Sequence, residues 1–300
     1  MEVQVPRWAG ARPSDRRFAP TVRRGRTLGS AAIAAGAAIA LGAAVALGLS
    51  LAGVFPGIAS TTSRSTQATI PPPGLENPSW SGELAWASKN GVTAFDHVTG
   101  AWVQPSIAPA SPAQYADTWV GVDGYDGKLL QLGTTAWTRE GAVAYDAWFA
   151  AWTGGPSGMT VIDEPVAAGD HMQVTIDRSS SGTWYAKIED ATAGWTWSTA
   201  LTYPANGSTA EWIEEAPGTW STPSQHQTLA DYGSTTFTTV RADGAVPASV
   251  TAFDVAQGGR VVSYPSTYSA TTGSFTVHYG QPGAGRRGAL RESLWPGAAR

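Results

Sequence analysis

Hydrophobic and polar residues alternate in short runs from Leu75 to Tyr279. Runs rich in Trp, Tyr, Val, Thr and Phe are separated by Gly, Pro, Asn and Asp at intervals of roughly ten residues, a spacing typical of antiparallel sandwiches and barrels. Asn90-Gly91 and Asn206-Gly207 predict hairpin turns. No segment after residue 60 keeps a helical period. We therefore predict an all-β fold, an antiparallel β-sandwich. Examples of its predicted strands are Ala116–Val122, Lys128–Leu132, Ala142–Trp152, His171–Ile176, Thr183–Glu189, Thr196–Tyr203, Thr209–Glu215, Thr235–Val240, Arg260–Tyr264 and Ser274–Tyr279.

The N-terminal part of the chain has a different pattern. Residues 1–26 form a basic segment with seven Arg against Glu2 and Asp15. Residues 27–59 are uncharged and rich in Ala, Gly and Leu, and they exceed the ~20 residues that a membrane-spanning helix needs. A basic flank before an apolar run predicts a hydrophobic signal or transmembrane anchor helix; an Ala-rich soluble helix is the alternative. We therefore predict an extracytoplasmic protein, secreted or anchored to the membrane by this segment.

The remaining boundaries follow from shifts in composition. Residues 60–74 are rich in Ser, Thr and Pro and predict an extended linker. Residues 75–280 form the predicted β-sandwich domain. Residues 281–300 are rich in Gly, Pro and Arg and predict a disordered basic tail.

Charge is segregated along the chain, which the formal net charge of −4 conceals. Residues 75–280 carry −13, whereas residues 1–26 carry +5 and residues 281–300 carry +3. Such an acidic body argues against a nucleic-acid partner, because it cannot neutralise a run of phosphates. The absence of cysteine excludes a disulfide scaffold, a zinc-thiolate site and a cysteine nucleophile. The four histidines have no metal-ligand spacing, so we predict neither a metal nor a cofactor.

Two segments carry candidate chemistry. Within Thr209–Glu215, strand alternation places Glu211 and Glu215 on one face, which is either a solvated outer face or a functional one. Further back, Gln131 interrupts an apolar run. A glutamine there is either an outward-facing strand residue or an amide donor aimed at a developing oxyanion. Asp146 is flanked by aromatic residues in the run Tyr145-Asp146-Ala147-Trp148.

Seven segments, in order and at compatible spacing, resemble the glutamic peptidases of the eqolisin type, which are acid-acting secreted endopeptidases. The resemblance runs from about Trp80 to Val240. Its segments are Asn77-Pro78-Ser79-Trp80-Ser81-Gly82, Gly100-Ala101-Trp102-Val103-Gln104-Pro105, Trp119–Gly124, Leu130-Gln131-Leu132-Gly133, Tyr145-Asp146-Ala147-Trp148, Ala210-Glu211-Trp212-Ile213-Glu214-Glu215 and Leu229-Ala230-Asp231-Tyr232-Gly233-Ser234-Thr235-Thr236-Phe237.

The resemblance implies two large antiparallel sheets of concanavalin-like or jelly-roll architecture, with the active site on the concave face of one. It implies a catalytic dyad of Gln131 and a glutamate, for which we rank Glu215 ahead of Glu211. Glu215 would be general base toward water and then general acid toward the amine, and Gln131 would stabilise the oxyanion. The matching positions that would bind substrate or support the site are Trp80, Trp119, Asp123, Asp146, Trp148 and Glu211. We expect a monomer that hydrolyses peptide bonds in protein or peptide substrates at acid pH.

Some positions depart from the family pattern. Thr135 stands where an acidic residue is usual, Ala150 replaces a glutamate, and Trp152 stands in place of a tyrosine. We expect these changes to thin the carboxylate network around the dyad.

Two other functions fit a Trp-rich sandwich. One is a carbohydrate-active or carbohydrate-binding domain, although Glu211 and Glu215 would be about 13 Å apart on an ideal strand, beyond the ~5–5.5 Å of a retaining glycosidase pair. The other is a catalytically inactive surface adhesion domain of the same fold.

Overall fold

The computed structural model describes residues 74–125, 127–153, 159–218 and 226–282. The basic segment, the apolar segment, nearly all of the linker and nearly all of the tail lie outside these residues, so the anchor helix and the domain boundaries stay predictions. Within the described ranges, no helix is long and apolar enough to cross a membrane.

These residues form 15 strands and one short 3-10 helix, at Ala87–Asn90, which confirms the all-β prediction. The strands are β1 (Leu75–Asn77), β2 (Trp80–Trp86), β3 (His97–Val103), β4 (Tyr115–Val122), β5 (Leu129–Arg139), β6 (Ala142–Trp152), β7 (Met159–Ile162), β8 (His171–Arg178), β9 (Thr183–Asp190), β10 (Trp195–Thr202), β11 (Thr209–Glu215), β12 (Ser234–Ala242), β13 (Thr251–Gln257), β14 (Arg260–Pro265) and β15 (Phe275–Tyr279).

The strands form two layers that share one strand. The first layer has the order β10-β9-β8-β3-β12, and the second continues as β12-β15-β14-β13-β2-β11-β4-β5-β6-β7. Residues 234–237 of β12 pair with β15, and its last residues pair with β3 after a shift of register between Thr238 and Arg241. Neighbouring strands along this path are antiparallel, while β1 pairs parallel with β13. The predicted sandwich is therefore confirmed, with its layers joined along β12.

Two predicted hairpin turns were wrong. Asn90-Gly91 lies between β2 and β3, and Asn206-Gly207 lies between β10 and β11; in both cases the flanking strands belong to different layers. Asn90 ends the 3-10 helix with Gly91 as its C-cap, and Gly207 has a positive φ of 71°, but in both places the chain crosses from one layer to the other. Two-residue connections between paired strands occur instead at Glu140-Gly141 and Gly258-Gly259.

Trp212 lies at the centre of the core between the layers and is fully buried. Its Nε1 donates a hydrogen bond to the carbonyl oxygen of Thr99 on β3 at 2.8 Å. A Cβ on Gly100 would lie 2.6 Å from Trp212 Cδ1, so only glycine leaves room for the indole there. Trp212 thereby ties β11 of the second layer to β3 of the first.

Tyr203, just after β10, connects the layers on the side away from β12. Its hydroxyl accepts a hydrogen bond from the backbone N–H of Leu129 at 2.8 Å and donates one to the carbonyl oxygen of Trp152. The segment that follows β10, the edge strand of the first layer, is therefore hydrogen-bonded to β5 and β6 of the second layer.

We expect Gly82→Ala to destabilise the protein by about 3 kcal/mol, because a Cβ at this position (φ 150°) would overlap the carbonyl oxygen of Trp212. The control is Gly91→Ala, at φ 77° with no atom within 4 Å of the added Cβ; it should lose only about 1 kcal/mol. Urea unfolding followed by tryptophan fluorescence measures both. Equal losses would contradict the close approach of β2 to β11.

Candidate active site

Strand β11 directs alternate residues to opposite faces of the second layer. Trp212 lies in the core between the layers, whereas Ile213 belongs to a second apolar cluster on the outer face. By the same alternation Glu211 and Glu215 share the face of Ile213, and Glu214 faces the core. The sequence prediction of two carboxylates on one face therefore corresponds to the outer face of this layer.

Three rows of cross-strand partners run over this face, across β2, β11, β4, β5 and β6. The carboxylate row consists of Trp80, Glu215, Asp117, Thr135 and Asp146. The tryptophan row consists of Gly82, Ile213, Trp119, Gly133 and Trp148. The glutamine row consists of Leu84, Glu211, Gly121, Gln131 and Ala150. Gln131 and Glu215 thus lie on one face, in rows that flank the tryptophan row.

Glu215 is partly exposed and held by three hydrogen-bond donors. Ser79 Oγ donates to its Oε1 at 3.0 Å and Trp119 Nε1 donates to its Oε2 at 2.8 Å, while Trp80 provides a third side-chain hydrogen bond. Burial raises the pKa of Glu215 to about 7, and the hydrogen bonds from Ser79, Trp119 and Trp80 act in the opposite direction. The carboxyl is therefore both oriented and able to exchange a proton near neutral pH.

Gln131 is 6% exposed, and its Oε1 has no hydrogen-bond partner among the residues that the structure describes. A buried polar atom without a partner costs free energy unless water or a ligand meets it. Its neighbour in the row on β6 is Ala150, where the resemblance implied a carboxylate. The amide oxygen of Gln131 can therefore accept a hydrogen bond from a water molecule.

Tryptophans fill the space between the two candidate catalytic side chains. Trp119 donates to Glu215, and its ring lies over Gly121, where a Cβ would be 2.9 Å from Cζ3. Trp80 packs edge-to-face on Trp119 with centroids 5.0 Å apart. Trp148 donates from Nε1 to Thr135 Oγ1 at 2.9 Å. The three indoles are buried and form an apolar cluster with fixed polar contacts beneath this face.

Glu211 and Asp123 are fully buried, and both accept hydrogen bonds from backbone N–H groups. Glu211 accepts a hydrogen bond from the N–H of Gly124 at 3.2 Å. Asp123 accepts hydrogen bonds from the backbone N–H groups of Asn206, Gly207 and Ser208. Both residues support the site by fixing the ends of β4 and β11. Of the two glutamates on this face, only Glu215 is partly exposed.

Asp117 is a site residue that the sequence reasoning missed. It is 5% exposed and directly opposite Glu215 in the ladder. Burial raises the pKa of Asp117 well above its usual range, and the neighbouring charge of Glu215 raises it further. The signal was present, since Asp117 precedes Trp119 by two residues and so shares its face. Asp117 lies next to Thr135, so a carboxyl is supplied to this row although position 135 has none.

Asp146 closes the carboxylate row on β6. It is partly exposed, and its Oδ2 accepts a hydrogen bond from Trp137 Nε1 at 2.7 Å. Trp137 in turn stacks on Tyr115, with ring centroids 6.5 Å apart. Trp137 and Tyr115 extend the aromatic surface beyond the carboxylate row, and neither was identified from the sequence. Over the described part of the chain, no group of three or more His, Cys, Asp or Glu could hold a metal ion.

A family model described as the Peptidase A4 family matches residues 78–279. The chain belongs to the peptidase A4 family. Aspergillopepsin-2 of Aspergillus niger is 28% identical over 178 residues, which cover 55% of this chain and 59% of that protein. The chain therefore spans about three fifths of the length of this curated relative.

Solved structures of this family share the fold. Scytalido-glutamic peptidase, crystallised with a transition state analog inhibitor, matches with a TM-score of 0.57 at 20% identity, over 68% of this chain and 98% of that one. SCP-B, described as a member of the eqolisin family in a complex with the tripeptide Ala-Ile-His, matches with a TM-score of 0.54 at 21% identity, over the same shares. The resemblance to the eqolisin-type peptidases is thereby confirmed for the family and the fold.

Glu214, on the core side of β11, should make stability strongly pH-dependent. Burial raises its pKa to about 8 from 4.5, against the hydrogen bond that Thr118 Oγ1 donates to its Oε1 at 2.8 Å. The folded state therefore binds a proton that the unfolded chain releases, so stability is lost as pH rises from 4.5 to 8. We expect Glu214→Gln to remove on the order of 5 kcal/mol of this loss.

The measurement is the free energy of urea unfolding at pH 4 and pH 8. Glu189→Gln is the control, because Glu189 lies on β9 in a salt bridge to Lys187 and is partly exposed. An unchanged pH dependence in Glu214→Gln would show that Glu214 is not the buried protonated group.

Proposed function

We propose that this protein is an endopeptidase that hydrolyses protein or peptide substrates on the outer face of the second layer, with Gln131 and Glu215 as its catalytic dyad. The observation that carries the proposal is the environment of Glu215, a partly exposed carboxyl fixed by Ser79, Trp119 and Trp80. Gln131 lies on the same face with an unpartnered buried amide oxygen. Family membership supports the reaction class.

Glu215 would serve peptide hydrolysis in both protonation states. In its ionised form it takes a proton from the attacking water, and in its protonated form it gives that proton to the leaving nitrogen. A group that performs both steps works best when its pKa lies near the working pH. The raised pKa of Glu215, about 7, fits this double role.

Gln131 would stabilise the charge that develops on the carbonyl oxygen. Its Nε2 is a neutral donor that needs no proton transfer of its own, and donors of this kind contribute on the order of 3 kcal/mol to transition-state stabilisation. The tryptophan row separates Gln131 from Glu215, so a scissile peptide bond would have to lie between the glutamine row and the carboxylate row to contact both.

Two effects would limit the pH range of activity. The ionised fraction of Glu215 falls tenfold for each pH unit below its pKa of about 7. Toward alkaline pH the fold loses stability, because burial raises the pKa values of Glu214 and Asp117. At low pH, activity is limited by the small ionised fraction of Glu215. At high pH, it is limited by the stability of the fold.

The carbohydrate alternative has less support, because Glu211 is fully buried and bonded to the Gly124 backbone. It could not act as the second exposed carboxyl of a glycosidase. A monomeric state and an extracytoplasmic location, secreted or membrane-anchored, remain proposals that rest on the sequence alone.

We expect Glu215→Gln and Gln131→Ala each to fold normally and to lower kcat/KM by at least about 100-fold. Cleavage of casein and of a quenched fluorescent peptide between pH 4 and 7 measures the effect. The matched controls are Glu189→Gln and Gln173→Ala, whose residues pair with each other on the far layer. Either dyad variant keeping most of its activity would refute the assignment.

We expect Ser79→Ala to move the acid limb of the kcat/KM profile to higher pH. The Ser79 hydrogen bond favours ionised Glu215, so its loss raises the pKa of Glu215 and shrinks the ionised fraction at a given pH. Ser81→Ala is the control, since Ser81 lies two residues further along the chain, in β2, and faces the core opposite Glu214. A limb that stays in place or moves to lower pH would contradict the role of Glu215 as the base.

A further inference from the structure

Asp117 and Glu215 are direct cross-strand partners on β4 and β11. Partners of this kind share a face of the sheet, with Cβ atoms about 4.5–5.5 Å apart. Asp117 is 5% exposed and Glu215 is only partly exposed. Two carboxyls this close in a poorly solvated place do not readily ionise together, because each charge opposes the other. The pair therefore favours a state with one proton and one charge.

The hydrogen-bond donors decide which partner carries the charge. Glu215 receives side-chain hydrogen bonds from Ser79, Trp119 and Trp80. Asp117 receives one from Thr135, and its Oδ1 has no hydrogen-bond partner among the described residues. Because donors stabilise an ionised carboxylate, the negative charge is better placed on Glu215.

Thr135 holds Asp117 in place through a relay that starts at Trp148. The indole N–H can only donate, and it donates to Thr135 Oγ1 at 2.9 Å. The hydroxyl proton of Thr135 is then left to point to Asp117, with which Thr135 shares a side-chain hydrogen bond. The tryptophan row thus orients the carboxyl that neighbours the proposed base.

We propose that Asp117 is a positioning residue for Glu215, which keeps the proton of the carboxyl pair so that the negative charge resides on Glu215. This inference rests on the proposed function, because it assigns a role to Asp117 only if Glu215 is the base. Asp117 itself transfers no proton to the substrate. Its protonated carboxyl fills the space beside Glu215, which keeps solvent out without adding a second charge.

The other titratable groups around Asp117 are acidic and reinforce this state. Glu214 on β11 and Asp146 on β6 both act on Asp117 to raise its pKa, after burial and Glu215. Tyr115 on its own strand also lies within electrostatic range. On its own face of the sheet, ionised Asp117 would therefore lie between the carboxyl of Glu215 on β11 and that of Asp146 on β6, whereas Glu214 lies on the opposite face.

The test is the pH profile of kcat/KM for Asp117→Asn and Asp117→Ala, with folding checked by circular dichroism. Asn keeps the shape and the neutrality of the protonated side chain, so activity should stay within about threefold and the acid limb should not move. Ala admits water beside Glu215, so the limb should move to lower pH by about one unit. Asp177→Asn, on the exposed end of β8, is the matched control. If Asp117→Ala does not fold, Asp117→Ser gives the same comparison.

Three results would overturn the inference. A limb that moves equally in Asp117→Asn and Asp117→Ala would place the charge on Asp117. A loss above 100-fold in Asp117→Asn would make Asp117 a proton donor in its own right. An unmoved limb in Asp117→Ala and Asp117→Ser would leave Asp117 without influence on Glu215. If Glu215→Gln keeps its activity, the proposed function itself fails, so the two failures are distinguishable.

Discussion

The packing of Trp212 between the layers decides which face of β11 each residue occupies. Its indole fills the space that Gly100 leaves on β3 and bonds to the carbonyl oxygen of Thr99. Since side chains alternate along a strand, a core position for Trp212 sends Glu211 and Glu215 to the outer face. A slip of one residue would expose the indole and move both carboxyls into the core. One apolar contact thus determines where the proposed chemistry takes place.

The same physical cause shapes stability and reactivity in this protein. Loss of solvent raises the pKa of Glu214 to about 8 on the core side and that of Glu215 to about 7 on the outer side. In acid both groups are neutral, and their burial carries no cost of charge. The fold of this chain is therefore most stable at pH values that keep Glu214 protonated.

The alternation along single strands could be predicted from the sequence, whereas the register between strands could not. Alternation sufficed to place Glu215 with Glu211, and the resemblance added Gln131 from a strand about 80 residues away. The neighbours of Glu215 depend on long-range pairing of β11 with β4, which no local pattern encodes. Alternation with Trp119 could have placed Asp117 on the correct face, but its position opposite Glu215 depends on that pairing. The hairpin predictions at Asn90 and Asn206 were wrong for a related reason, since a turn dipeptide does not specify which strand the next strand pairs with.

The sharing of β12 has a mechanical consequence. β12 joins the two layers along one edge of the sandwich, because it pairs with β15 in one layer and with β3 in the other. At the opposite edge, the hydroxyl of Tyr203 joins the layers by hydrogen bonds to the backbone of Leu129 and Trp152. Because both edges of the sandwich are joined, the two layers stay packed together and leave no entry for a ligand between them. The polypeptide substrate proposed above would therefore bind on the outer face of the second layer and not between the layers.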